Sequence, residues 1–233
     1  MGRKSHKLHG SVVFSRNSIM HILPKALAAA AALAMAAAAT PALAVDVYTF
    51  NSTDVAAFGA APYGTVTLTQ NGTDVDFSVA LRADLNFVTT GNSGSKAVFA
   101  FNATGVSSGD ILSIADASGQ TFSVVSPGNE SPFGTFTFGI LCATGCSNGG
   151  SAGGYADPLT FKVASSTLTD FAHLSIGGSP NAFFAADVLQ AGTGATGAVG
   201  ATSPVTAVPE PGTYALMLAG LGVLGFIAKR RKA

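Results

Sequence analysis

The segments Thr65-Val66-Thr67-Leu68-Thr69-Gln70 and Thr73-Asp74-Val75-Asp76-Phe77-Ser78-Val79-Ala80-Leu81 flank the dipeptide Asn71-Gly72. Both flanks alternate apolar and polar residues with the period of two of a strand buried on one face. Asn-Gly tolerates the positive φ values of a type I′ turn, whose twist suits a two-residue hairpin. Pairing Gln70 with Thr73 sets Leu68 opposite Val75 and Val66 opposite Phe77. Turn chemistry and hydrophobic alternation thus predict one hairpin.

Outward from this hairpin, Val45 to Gln190 is a series of short apolar stretches punctuated by Gly, Asn, Ser and Pro, without helical periodicity. Further strands are predicted at Asp46–Asn51, Lys96–Ala103, Ile111–Ala115, Thr121–Val125, Thr135–Cys142, Leu159–Ala164, Ala172–Ile176 and Phe183–Leu189. Within them Phe99/Phe101, Phe136/Phe138/Ile140 and Leu159/Phe161/Val163 share a parity, as in sheets with one buried face. About ten short strands so spaced predict a mainly β fold, an antiparallel β-sandwich or jelly-roll-like domain. A domain of ~150 residues buries about two-thirds of its unfolded surface, enough to fold without disulfides.

The chain has 233 residues, 48% hydrophobic and only 10% charged, with 28 Gly and no Trp. Its formal net charge of zero hides a segregation of signs. Arg3, Lys4, Lys7, Arg16 and Lys25 precede any acidic residue, and Lys229, Arg230, Arg231 and Lys232 crowd the C-terminus. Between Val45 and Ala207 only Arg82, Lys96 and Lys162 oppose eleven acidic residues. That excess of negative charge argues against nucleic acid as a partner.

Both ends read as addresses. A basic region ending at Lys25, an apolar run from Ala26 to Ala39, Pro41 and then Ala42-Leu43-Ala44 have the form of a secretory signal peptide over 1–44. Small residues at Ala42 and Ala44 suit cleavage by signal peptidase, giving a mature chain from Val45. From Ala191 to Ala207 the sequence turns Gly/Ala/Thr-rich and reads as a flexible linker, 191–207, behind a cargo domain of 45–190. Val208-Pro209-Glu210-Pro211-Gly212 follows, then an apolar stretch read as a transmembrane helix over 213–228, then the basic cluster Lys229–Lys232. As a helix the stretch is slightly short for a ~30 Å hydrocarbon core, a deficit that snorkelling of Lys229 makes up. The positive-inside rule puts the basic tail in the cytoplasm and the cargo across the membrane.

This tail, residues 208–233, resembles a PEP-CTERM protein-sorting signal: a Pro-Glu-Pro motif (Pro209-Glu210-Pro211), an apolar helix rich in Leu and Gly (Ala215 to Gly222), and a terminal Arg/Lys cluster. The resemblance implies a Gram-negative envelope protein recognised by an exosortase, a membrane-embedded transpeptidase-like enzyme. It also implies a setting of exopolysaccharide and biofilm, with release to the cell surface or medium after processing. Glu210 and its prolines would be recognition elements for that enzyme. The stretches 157–163, 168–171 and 183–188 are similar to recurring PEP-CTERM cargo, which brings no established activity.

Few residues suggest chemistry in the cargo itself. Cys142 and Cys146, the only cysteines, favour a disulfide in an exported chain, with free thiols as the alternative. Their spacing does not match a redox Cys-x-x-Cys, and zinc would need two further ligands where His173 is the sole histidine past the signal region. His173 lies on the parity opposite Leu174 and Ile176, which predicts that it faces solvent while they face the core. Asp74 and Asp76 lie on the polar face of the hairpin, and Asp84, Asp110, Asp116, Asp157 and Asp187 lie in or near turns. Carboxylates so placed are candidates for Ca²⁺ binding or glycoside hydrolysis, yet no Asp-x-Asp-x-Asp-Gly loop or Gly-x-Ser-x-Gly elbow occurs. Neither a catalytic residue, a metal site nor a cofactor is expected. The reading is a non-enzymatic surface protein, with a carbohydrate-binding module as the alternative and Tyr48, Tyr63 and Tyr155 as its candidate platforms.

Overall fold

The computed structural model describes residues 43–90, 97–144, 154, 158–203, 206–207, 217 and 220–222. Strands β1 (Val45–Phe50), β2 (Ser52–Thr53), β3 (Gly64–Asn71), β4 (Asp74–Leu81) and β5 (Leu85–Phe87) come first. They are followed by β6 (Phe99–Phe101), β7 (Ile111–Ala115), β8 (Thr121–Val125), β9 (Gly128–Glu130), β10 (Gly134–Phe136) and β11 (Phe138–Thr144). The last are β12 (Leu159–Val163), β13 (Ile176–Gly177), β14 (Phe184–Gln190), β15 (Thr196–Ala201) and β16 (Thr206–Ala207). One sheet has the order β16-β1-β3-β4-β12-β7, a second β2-β15-β14-β6-β11-β8 with β5 also on β14, and a small third β13-β10-β9. Every pairing among the described residues is antiparallel. The expected mainly β, antiparallel architecture is present.

The hairpin β3–β4 forms, but its register sits two residues from the predicted one. Asn71 pairs with Asp74 and Leu68 with Phe77, so Gly72-Thr73 are the central turn residues. Gly72 has φ +64°, while Thr73 does not share this left-handed conformation. Positive φ at the first central position alone is the pattern of a type II′ turn, which asks for Gly there. A shift of two keeps side-chain parity, and Val66, Leu68, Val75, Phe77 and Val79 all reach the core.

Phenylalanine fills the space between the two large sheets. Phe77 stacks on its cross-strand partner Phe161 with ring centroids 4.4 Å apart and meets Phe171 edge-on at 4.8 Å. Across the gap it touches Phe101 of the second sheet at 5.6 Å. Phe99 and Phe184 stack 5.9 Å apart in that second sheet. The residues alternating with them are small: Ala100 and Ala185 point to the opposite face and join Ala97, Phe133, Phe136, Ala182 and Ala198 in a second cluster. The second sheet is therefore buried on both faces, with rings on one side and methyl groups on the other.

This layering corrects several expectations. The predicted strand Thr135–Cys142 is split at Thr137: Phe136 belongs to the small cluster, Phe138 and Ile140 to the main core. The break is stabilised by buried Asn102, whose Oδ1 accepts from the Thr137 N–H at 2.9 Å and its hydroxyl at 3.1 Å. The predicted strand Ala172–Ile176 forms only at its last residue: 172–175 carry no strand and Ile176 opens β13, because the segment follows a 3-10 turn, Leu168–Phe171, capped by Asp170 accepting from the Thr167 N–H and hydroxyl. Beyond it Leu174 (47% exposed) and Ile176 (78% exposed) face solvent, and the buried positions are Phe171 and Ser175.

Of the expected linker 191–207, residues 191–203 and 206–207 are described and belong to the sandwich, so the domain runs beyond 190. β15 pairs with β14 over six residues from Leu189↔Thr196 to Phe184↔Ala201, and β16 returns to pair with β1. Its glycines serve close packing. A Cβ on Gly200 would overlap the Phe133 ring, and one on Gly197 would overlap Val55. Small-residue composition here reflects tight contact rather than the flexibility expected of a linker.

A polar clamp ties one corner. The Arg82 guanidinium pairs with Asp84 at 2.5 and 2.9 Å, donates to the carbonyls of Phe58 at 2.6 Å and Ala60 at 2.8 Å, and lies 5.3 Å over the Tyr63 ring. Gln190 at the end of β14 donates to Asp84 at 3.0 Å. The hydrogen bond from Arg82 and then that from Gln190 hold the Asp84 carboxyl down at about 2, below its ordinary 3.8.

Two outcomes are expected. Gly200→Val lowers stability by about 1–3 kcal/mol in equilibrium urea unfolding through overpacking, where a flexible linker would tolerate it. Because the folded pKa of Asp84 is depressed, its contribution is present above pH 3.8 and is lost as pH falls toward about 2. Asp84→Asn should flatten the dependence of the urea midpoint on pH over that window. At pH 7 it should cost under about 1 kcal/mol, because the pair is partly solvated.

Candidate functional site

The first and last strands of the described domain, β1 and β16, meet at one edge of the first sheet. β1 begins at Val45, directly after the expected cleavage position Ala44, whose carbonyl accepts from the Gln70 N–H at 2.9 Å. β16 lies on the other side of β1, with Asp46 opposite Ala207 and Val47 opposite Thr206. Beyond Phe50 the chain crosses to the second sheet, where Ser52 pairs with Gly200 and Thr53 with Val199 of β15. The first and last segments of the domain thus form one antiparallel ribbon that bends from one sheet to the other.

Asn51 holds the bend. Its N–H donates to the Gly200 carbonyl at 3.0 Å, and its Oδ1 accepts from the Thr202 N–H at 3.0 Å and the Thr202 hydroxyl at 2.9 Å. Its Nδ2 donates to Ser203 Oγ at 2.6 Å. No local pattern in the sequence marks Asn51, since these partners lie about 150 residues away. Next to the ribbon, burial raises the pKa of Asp46, and burial together with the Asp46 charge pushes the Tyr48 phenol up to about 12.

The remaining predicted residues scatter. Ala42, the motif Val208–Pro211 and the cluster Lys229–Lys232 lie outside the described residues, as does most of the expected signal and transmembrane helices. Met217 and residues 220–222 are helical. Among the described residues no helix is long and apolar enough to cross a membrane. Cys142, half-buried on β11 beside a bulge, is disulfide-bonded, and Cys146 is outside the described residues. His173 is exposed, and its carbonyl accepts from Asn102 Nδ2 at 3.1 Å.

Each described carboxylate among the predicted candidates serves local structure. Asp74 accepts from the Ser165 N–H and pairs with Lys162 at 3.3 Å, and the two contacts lower its pKa in that order. Asp76 accepts from Asn71 Nδ2 at 2.8 Å. Asp110 caps the turn after Ser107, whose hydroxyl and N–H hold it below the usual carboxylate range. Asp116 gathers the N–H groups of Ser118, Gly119 and Gln120. Buried Asp187 receives the Thr90 hydroxyl at 2.6 Å and the Thr90 N–H. Asp157 lies outside the described residues. Among the described residues no three His, Cys, Asp or Glu side chains gather as metal ligands. Tyr48 (1% exposed) and Tyr63 (5% exposed) are buried in the core and cannot be stacking platforms, and Tyr155 lies outside the described residues.

Residues 207–232 match the PEP-CTERM protein-sorting motif, and the match begins at Ala207, the second residue of β16. No curated protein and no solved structure matches the chain. The chain carries a signal for exosortase-dependent export to the envelope.

Proposed function

We propose that this carrier of an exosortase sorting signal is a non-enzymatic component of the bacterial surface, its β-sandwich serving as matrix material in an exopolysaccharide or biofilm setting. The sorting motif at residues 207–232 carries the reading. In it, signal peptidase removes residues 1–44 after Ala44. The helix over 213–228 and the stop at Lys229–Lys232 then hold the precursor in the inner membrane with the sandwich outside. The exosortase recognises Val208-Pro209-Glu210-Pro211 and releases the domain.

A second reading, a polysaccharide-contacting module, is favoured by the solvent side of the first sheet. Cross-strand register lines up Thr67, Ser78 and Thr160 in one row and Thr69, Asp76 and Lys162 in the next. All six are partly exposed and alternate with core residues, so they present ranks of hydroxyls with an acid and an amine on a single face. Such a face suits hydrogen bonding to a polyhydroxylated chain in place of aromatic stacking.

Two measurements separate these claims. Intact mass of the protein from envelope and medium should give a chain that begins at Val45 and ends near Pro209–Gly212, with a two-dalton gain on reduction. A mature form still carrying Lys229–Lys232 would sink the processing claim. For the second reading, retention on immobilised exopolysaccharide should fall in Thr67→Val/Thr160→Val and not in a variant off that face such as Thr193→Ala, in the turn between β14 and β15 of the second sheet. Equal retention of the native chain and both variants would remove it.

A further inference from the structure

The Pro-Glu-Pro motif begins two residues after a paired strand. Pro209 follows Ala207 with only Val208 between them, and Ala207 is paired to Asp46. Extended chain covers at most about 3.3–3.6 Å per residue, so with β16 in place Pro209 can stand no further than ~7 Å from Ala207. A membrane-embedded enzyme would have to act on a proline-flanked segment that begins two residues after a paired strand. β16, however, is joined to β1 by two residue pairs. Gln70 N–H bonds the Ala44 carbonyl, so the even-numbered residues of β1 turn their backbone groups toward β3. By the same alternation Val47 is the hydrogen-bonding partner of Thr206, and Asp46↔Ala207 is a non-hydrogen-bonded pair. So short an edge ladder stands at the weak end of the local stability range. The Asn51 clamp on Thr202 and Ser203 lies just upstream and joins a far longer pairing, β15 on β14.

We propose that β16 is a detachable latch: it opens at β1 to give the exosortase the free chain needed to engage Pro209-Glu210-Pro211, while the Asn51 clamp keeps the sandwich closed. Opening frees the chain after Ser203, six residues before Pro209, and lengthens the reach to ~20 Å. The latch rests on the sorting reading above and adds the way the folded cargo presents the motif.

The test uses the full chain in a host that exports and sorts it, read as the fraction of non-reduced intact mass that has lost Lys229–Lys232. Asp46→Cys/Ala207→Cys closes the latch, since a non-hydrogen-bonded antiparallel pair has the Cα spacing of a disulfide. Its formation is checked in the same spectrum by the two-dalton loss. Processing should fall at least about tenfold if opening is obligatory. It should return when about eight Gly/Ser residues are inserted between Ala207 and Val208 of the locked chain, which supplies reach without opening. Thr206→Pro, which removes the N–H that bonds Val47, should be processed at least as fast as the native chain. Native-rate processing of the locked chain overturns the latch, and so does failure of the insertion to restore it. If the native chain keeps Lys229–Lys232 in every fraction, the sorting reading itself is what fails.

Discussion

A sandwich without tryptophan has to be filled by something, and here it is filled by a sheet of phenyl rings. Phe77, Phe99, Phe101, Phe161 and Phe184 lie within ring-contact distance of one another between the two large sheets. On the other side of β6 and β14 small side chains let a third layer approach closely. Ala100 and Ala185 supply that face, and Phe133 and Phe136 cover it. The two clusters share one sheet, with rings packed on one face and methyl groups under Phe133 and Phe136 on the other.

Polar groups follow the same economy. A chain with 10% charged residues has few ionic groups to give, and among the described residues several of its carboxylates stand where the backbone turns. Asp110, Asp116 and Asp170 satisfy N–H groups at tight turns, and Asn102 and Asn51 do so where the chain changes sheet. Buried Asp187 sits where the neighbour of β14 is interrupted between β5 and β6. Its backbone bonds Val88 and Val98 on either side of the gap, and its carboxylate gathers Thr90. These side chains replace ladder hydrogen bonds that the irregular path forfeits.

Legibility in the sequence follows the range of the interaction. The hairpin could be read because its turn and its alternation are local, although the choice between two turn types moved the register by two residues. Strands β7 and β8 were legible at their predicted bounds for the same reason. The segment 191–207 was misread because Gly and Ala carry no sign of which surface they approach. Only Phe133 and Val55, far away in sequence, explain Gly200 and Gly197. Leu174 and Ile176 looked inward by parity, but the capped turn before them breaks the count. Of the candidate site, the motif was legible in full and Asn51 not at all, since its role exists only once both ends of the domain meet.

That meeting also fixes how the domain carries load. Any pull on the C-terminal end enters at β16, where two residue pairs open in succession, as in a zipper. The force then reaches the Asn51 clamp and passes into β15. A pull directed along that strand meets six pairs with β14 and two with β2 together, in shear. A protein held at a surface by this end would yield a short length of slack first and then stiffen, with its aromatic core untouched.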